Sequence, residues 1–241
     1  MKIIVISQGG ISLNHKKNIN LIILLILLIV FCVYRIINLN LVWQGISVRD
    51  INMDFKADIP LNAVKIEQPE TTSEFLMKSN IFIIPIMVVL GATIVIIKKN
   101  TKLKLDKKIF RKGIFIGVLL GILCIVIHEF IHALFYPNGS TVNIGIVLNP
   151  FYAYVSSLDS INRNSFILMS IMPFLILGVI PFSLFIYYFT KKTKLAGILL
   201  GFCIMGLVGG TPDLYNIYNI SKQVPNNAII INSENLTYWY K

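Results

Sequence analysis

Long apolar runs, each about the length of a membrane span, constrain this chain more than any other feature of its sequence. A helix of about 20 apolar residues crosses the roughly 30 Å hydrocarbon layer of a membrane. Charged residues make up only 14% of the chain, against about 25% in a typical soluble domain. The sequence therefore predicts an α-helical integral membrane protein with about five transmembrane helices and small β-hairpin segments outside the membrane. The predicted spans are residues 19–39, 81–97, 113–136, 166–189 and 195–210.

Basic residues border the apolar runs and give the chain a net charge of +11. The clearest cluster is the loop 98–112, in which lysines and arginines are accompanied by a single acid, Asp106. Such loops stay in the cytoplasm, so residues 40–80, residues 137–165 and the C-terminal tail are predicted to lie outside. The lipid bilayer is the partner that this charge pattern predicts, and no nucleic-acid binding is expected.

Stretches of alternating or β-rich sequence predict short strands outside the membrane. They lie at 51–59 and 61–66, at 141–148 and 151–155 around an Asn149-Pro150 turn, and at 228–231 and 236–240. The chain is accordingly divided into two predicted domains. Residues 1–112 form an N-terminal membrane region with two spans, the extracytoplasmic 40–80 segment and the polybasic cytoplasmic loop, and residues 113–241 form the second domain.

His128, Glu129 and His132 interrupt the third apolar run. Residues four apart lie on the same face of a helix, so both imidazoles can reach one metal ion while the glutamate lies beside it. This HExxH spacing is typical of zinc hydrolases. Ionisable residues inside a membrane span are costly and indicate a functional site; the alternative is a polar cluster that only hydrogen-bonds helices together. On a straight helix the histidines continue the small-residue stripe of Gly117 and Gly121, so they are predicted to face the interior of the bundle.

A catalytic zinc ion normally has three protein ligands, so a third ligand must come from elsewhere in the chain. The longer HExxHxxGxxH pattern fails because Phe135 replaces its glycine. The one later glutamate, Glu234, lies in the polar tail, and the remaining histidine, His15, is predicted to lie on the cytoplasmic side. Asp159 and Asp213 remain. Asp213 follows an apolar run and a Gly-Gly-Thr-Pro break on the same side of the membrane as the motif, whereas a turn or a helix cap explains Asp159; depth therefore favours Asp213.

The motif, the Ala-Leu-Phe sequence after it and the late Gly-Thr-Pro-Asp sequence together resemble a bacterial family of zincin-type membrane peptidases. The chain is more distantly similar to the site-2 intramembrane zinc metalloproteases, although Leu214 stands where those proteins carry a glycine. The resemblance extends from about residue 113 to the C-terminus. It implies that His128, His132 and Asp213 bind zinc and that Glu129 is the catalytic base.

These observations predict a multi-pass protein of the cell membrane. They predict a membrane-embedded zinc metalloprotease that hydrolyses peptide bonds of a protein or peptide substrate in or near the membrane, with Zn²⁺ as cofactor. The 141–155 hairpin either holds the substrate by strand addition or is a loop that covers the site. The alternative function is a non-catalytic accessory or transport protein whose His/Glu/Asp cluster is structural or ion-conducting. Transporters often contain internal repeats, which this sequence lacks, and transport gives no reason for a glutamate between the histidines.

Overall fold

Helices account for most of the chain in the computed structural model, which describes residues 23, 26–48, 56–69, 71–101, 106–149, 151–233 and 236–241. The helices are α1 (Ile26–Ile37), α2 (Thr72–Ser79), α3 (Ile83–Asn100), α4 (Lys107–Leu123), α5 (Ile125–Ala133), α6 (Arg163–Pro173), α7 (Ile180–Tyr188), α8 (Thr193–Gly209) and α9 (Thr211–Gln223). A 3-10 turn at Asn80–Phe82 joins α2 to α3, and a π-helical turn at Phe174–Val179 joins α6 to α7. The prediction of a mainly helical protein is confirmed.

Several helical stretches have the length and composition of membrane spans. Among the described residues, Thr72–Asn100, Arg163–Tyr188 and Thr193–Gln223 meet both criteria, and α4 with α5 forms a fourth if a helix bent by 47° counts as one span. α1, in the described part of the first predicted span, is shorter. These helices suggest a membrane protein. The count of five spans stays a prediction, as does the division of the chain at residue 112.

The third predicted span is bent. Cys124, with φ −82° and ψ 5°, ends α4 and begins α5. The two helices therefore meet at 47°, and the prediction of one straight helix over 113–136 is wrong. The bend separates two groups that a straight helix would place on one stripe: the glycines stay on α4, and the motif lies on α5.

The fifth predicted span, 195–210, corresponds to α8 and is followed directly by a second helix. α8 ends at Gly209 and α9 begins at Thr211, and together they form one stretch of 31 residues that continues to Gln223. Pro212 lies in the first turn of α9, where its missing N–H costs nothing because first-turn donors have no helical acceptor. The apolar helix α8 thus ends beside the predicted limit at residue 210, and Asp213 lies on the helix that follows the break.

Helices α4 and α8 run parallel and pack with their backbones close together. A Cβ atom added at Gly113 would lie 3.0 Å from the Cα atom of Gly197, and one added at Gly117 would lie 2.7 Å from the backbone nitrogen of Phe202. Only glycine permits so close an approach between helices. The small-residue stripe noted in the sequence therefore binds α4 to α8.

The strands form two small sheets. They are β1 (Asn40–Ser47), β2 (Val64–Lys65), β3 (Thr141–Leu148), β4 (Phe151–Ser156), β5 (Ile161–Asn162), β6 (Ile229–Ser233) and β7 (Leu236–Tyr240). One sheet has the order β1-β3-β4 and the other the order β2-β7-β6-β5. β3 with β4 and β6 with β7 are antiparallel hairpins, as predicted. β1 pairs in parallel with β3 and was not predicted.

The strand predicted at 51–59 is not found in the described residues of that stretch. Residues 51–55 lie outside the described residues, and residues 56–59 are not part of a strand. The following stretch, 61–66, contains only the short strand β2. Period-two alternation over so few residues was too weak a signal, because strand formation also needs a partner edge.

A hydrophobic core connects both sheets to α5, α6 and α9. Its buried members include Ala133, Val142, Phe166, Ile220 and Ile230. Because these residues come from five different elements, their packing fixes the position of α5 relative to α6 and α9. Those three helices carry the polar groups of the site.

Candidate metal centre

His128 and His132 lie one turn apart on α5 and face the same carboxylate. The Nε2 atom of His128 is 3.0 Å from Oδ2 of Asp213, and Nε2 of His132 is 3.1 Å from Oδ1 of Asp213. In the described part of the chain, these residues form a group whose ligand atoms all lie within 4.8 Å of one another. The fold thus brings together the two motif histidines and the aspartate that the sequence favoured.

Asp213 owes its position to the start of α9. It lies in the first turn of that helix, where unpaired N–H groups and the positive end of the helix dipole favour a carboxylate. The hydroxyl of Thr211 donates to the carbonyl of Val208 at 2.8 Å, which ties the start of α9 to the end of α8. The Thr-Pro-Asp sequence therefore restarts the helix and presents a buried carboxylate, 9% exposed.

His132 is oriented by a backbone carbonyl of α6. Its Nδ1 atom lies 2.9 Å from the carbonyl oxygen of Met169. When Nδ1–H donates to this carbonyl, the lone pair of Nε2 is left for a metal ion. The carbonyl is free because Pro173, four residues later in α6, has no N–H to donate to it. Pro173, inside the fourth predicted span, thus leaves a carbonyl group available to orient His132.

The donor set suits zinc. Two imidazole nitrogens and one carboxylate oxygen are a common ligand set of catalytic zinc sites, which keep a fourth position for water or substrate. Ligand atoms about 2.0–2.1 Å from a tetrahedral zinc ion lie about 3.3 Å from one another. The two observed nitrogen–oxygen separations, 3.0 and 3.1 Å, are close to that value.

Glu129 lies beside this group without belonging to it. With His128, His132 and Asp213 it lines a cavity of about 1060 Å³, and residues 151–155 of β4 line the same cavity. The backbone N–H of Val155 interacts with the carboxyl group of Glu129. This volume lies just above the usual range for ligand pockets, about 300–1,000 Å³, so the cavity has room for a stretch of peptide.

Tyr136 and Tyr154 are two of the three tyrosines that line the cavity outside the long apolar helices. Burial raises the pKa of Tyr136, and the nearby Glu129 and Asp159 raise it further; burial also raises the pKa of Tyr154. Both side chains therefore remain neutral phenols near neutral pH. The Tyr154 ring lies over Gly145, where an added Cβ would be 2.6 Å from the phenol oxygen.

The other candidate ligands lie elsewhere. Asp159 is exposed, and its Oδ2 atom accepts hydrogen bonds from the backbone of Thr141 at 3.0 Å and from the Ser157 hydroxyl at 3.2 Å. Asp159 belongs to the turn before β5, in agreement with the turn or helix cap considered for it from the sequence. His15 and Glu234 lie outside the described residues. Sequence reasoning missed the contributions of Met169 and Val155, because backbone groups leave no side-chain signature; Pro173 was the one available signal.

The fold and the site define a mainly helical protein with long apolar helices and a potential metal centre of two histidines and one aspartate. Residues 121–229 match a protein family described as "Putative zincin peptidase". The matched segment contains the motif, the β3–β4 hairpin and Asp213. The resemblance to zincin-type peptidases is thereby confirmed. No curated protein and no solved structure matches the chain.

Proposed function

We propose that the protein is a membrane-embedded zinc metalloprotease that crosses the cell membrane several times and hydrolyses peptide bonds of a protein or peptide substrate. One observation carries this proposal. The ligand atoms of His128, His132 and Asp213 lie within 4.8 Å of one another, beside Glu129 in a cavity. The match of residues 121–229 to a zincin peptidase family supports the same chemistry.

His128, His132 and Asp213 are the proposed zinc ligands, and Glu129 is the proposed general base. When bound, zinc supplies Lewis-acid activation of a water molecule and polarisation of the scissile carbonyl group. Glu129 takes a proton from the attacking water as the new C–O bond forms. It then delivers that proton to the nitrogen of the leaving amine as the C–N bond breaks. The N–H of Val155 holds the Glu129 carboxyl group in place for both transfers.

The site is proposed to open towards the outer side of the membrane. α4 and α8 run parallel towards the site, and basic residues stand at the opposite end of both helices. These are Lys107, Lys108, Arg111 and Lys112 on α4 and Lys191, Lys192 and Lys194 at the start of α8. Because basic residues remain on the cytoplasmic side, the other end of each helix, with the metal centre, faces outward.

The substrate is proposed to bind as an extended strand along β4. β4 is an edge strand of its sheet, its residues 151–155 line the cavity, and Val155 reaches Glu129. The unpaired N–H and C=O groups of an edge strand can pair with an added peptide. Such a site accepts loops and unwound segments, because the backbone groups of an intact helix are already paired.

Metal analysis and peptide hydrolysis of one set of variants test the proposed function. The wild-type protein, purified in detergent, is expected to contain one zinc ion per chain and to cleave members of a quenched-fluorescent peptide library. Glu129→Gln removes the base but none of the proposed ligands. It is therefore expected to keep its zinc while the rate falls by about 100- to 10,000-fold.

The matched control is Glu67→Gln, which makes the same change at an exposed glutamate outside the cavity lining. Its zinc content and its rate should equal those of the wild type. The proposed function is wrong if the wild-type protein lacks stoichiometric zinc, or if Glu129→Gln cleaves the peptides as fast as the control does.

A further inference from the structure

Arg35 lies in the apolar helix α1, far in sequence from the motif and outside the segment that matches the family. Its side chain reaches the residues directly after α5. Nε donates to the carbonyl oxygen of Leu134 at 2.6 Å, and the two Nη atoms donate to the carbonyl oxygen of Tyr136 and to Oδ1 of Asn138. These three hydrogen bonds, which are those of Arg35 among the described residues, converge on the segment that follows the second histidine.

One of these acceptors lies at the end of α5, and the other two lie in the segment directly after it. α5 ends at Ala133, and Leu134 is its capping residue. The last carbonyl groups of a helix have no helical donor and carry the negative end of the helix dipole. A guanidinium group offers several donors in a rigid planar fork and a permanent positive charge. Arg35 therefore binds both the capping residue and the segment that follows the helix that carries His128 and His132.

Further contacts place α1 along the same segment. The rings of Phe31 and Phe135 lie 6.1 Å apart, and Asn138 donates through Nδ2 to the hydroxyl of Tyr34 at 3.1 Å. The chain after α1 continues as β1, which pairs in parallel with β3. α1 and β1 thus run beside the chain from the end of α5 to the end of β3.

A charge within an apolar helix is costly, and such charges usually mark a functional role. We infer that Arg35 is a positioning residue for the metal centre: by fixing the C-terminal end of α5, it holds the imidazole of His132 towards Asp213. This inference rests on the proposed function, since it assumes that the centre binds zinc. It also adds α1 to the site, although α1 lies outside the matched family segment.

The test compares Arg35→Gln with Arg111→Gln in the full-length protein in detergent. Arg111 is exposed on α4 and has no ion pair among the described residues, so its variant loses the same charge away from the site. Zinc affinity is measured by competition with a chelator. Arg35→Gln is expected to bind zinc at least about tenfold more weakly than Arg111→Gln, the size of effect seen when groups that orient metal ligands are removed.

Two further measurements separate positioning from a general loss of structure. Arg35→Lys keeps the positive charge but loses the planar guanidinium group, so its zinc affinity should lie between those of the wild type and Arg35→Gln. If Arg35→Gln does not fold, Arg35→Lys replaces it in the zinc-affinity and hydrogen-exchange comparisons. Hydrogen exchange in zinc-free protein should be faster for the backbone amides of residues 130–138 in Arg35→Gln than in Arg111→Gln. Exchange elsewhere in the chain should be the same in both variants.

The outcomes are distinct. If the wild-type protein binds no zinc, the proposed function fails, and the exchange comparison still decides whether Arg35 fixes the end of α5. If the wild type binds zinc and the Arg35 variants bind it equally well, the positioning role is refuted while the proposed function stands. Faster exchange over the whole chain would also refute it, because Arg35 would then be only a structural residue.

Discussion

The close packing of α4 on α8 makes Gly117→Ala a sharp test of the fold. The added Cβ would lie 2.7 Å from the backbone nitrogen of Phe202 and also against the carbonyl oxygen of Ile198. Optimal separations between non-bonded atoms are about 3.5–4.0 Å, so the two helices must separate by roughly 1 Å. Backbone atoms cannot rotate away as the end of a flexible side chain can.

The expected loss of stability follows from two opposing effects. Overpacking in a tight interior costs about 1–3 kcal/mol, and a backbone clash belongs at the upper end of that range. Alanine gains up to about 1 kcal/mol over glycine in helix propensity. The net expected loss in the free energy of unfolding is therefore about 2 kcal/mol. For a chain of this length it lowers Tm by about 4–8 °C.

The assay is thermal unfolding in detergent, read by mass-spectrometric detection of labelling at the Cys203 thiol, because Cys32 and Cys124 are also free thiols. Cys203 lies on α8 with 0% of its surface exposed, so it reacts only when the helices separate. The matched control is Gly91→Ala on α3, where nothing lies within 4 Å of the added Cβ; it should leave Tm unchanged or raise it. Equal Tm values for Gly117→Ala and Gly91→Ala would refute the α4–α8 packing described above.

Two further predictions concern the site. Asp213→Ala should lose its zinc. Asp159→Ala should keep its zinc and lose only about 1 kcal/mol of stability, because it loses the hydrogen bond to the Thr141 backbone. Metal analysis and thermal unfolding of both variants check this prediction, and zinc retained in Asp213→Ala would contradict it. Ala153→Pro should abolish peptide cleavage while zinc stays bound. The N–H of Ala153 points to the same edge of β4 as that of Val155, where the substrate is proposed to pair, and proline has no N–H. Ala153→Ser is the control that keeps the N–H, and equal cleavage by the two variants would exclude strand addition at that position.

Local sequence signals predicted a large part of this architecture. The HExxH spacing predicted two histidines on one helical face, which the i, i+4 geometry of any helix guarantees once the segment is helical. The β3–β4 and β6–β7 hairpins were predicted because antiparallel neighbours need only a turn between two β-rich runs. Asp213 was found by elimination among the few remaining acids. It now lies beside the histidines in the structure.

Features that depend on distant parts of the chain could not be predicted in the same way. β1 pairs in parallel with β3 about a hundred residues later, and no local pattern encodes that partner. The bend at Cys124 and the continuation of α8 into α9 depend on what each helix packs against. Arg35 was visible in the sequence as a charge in an apolar run, but its acceptors are backbone carbonyl groups that have no sequence signature.

The distance between α4 and α8 also connects the packing of the helices to the metal centre. The two helices are parallel and level with each other near Gly117 and Gly201. From those glycines the chain runs about 16 Å to His128, the last four residues of it beyond the 47° bend, and about 18 Å to Asp213 at 1.5 Å per residue. α5 continues from α4 and α9 from α8, so the glycine contact helps to set the distance between the starts of the two helices that carry the ligands. A substitution that separates the two helices should move Asp213 away from the histidines, so Gly117→Ala should also bind zinc more weakly than Gly91→Ala does.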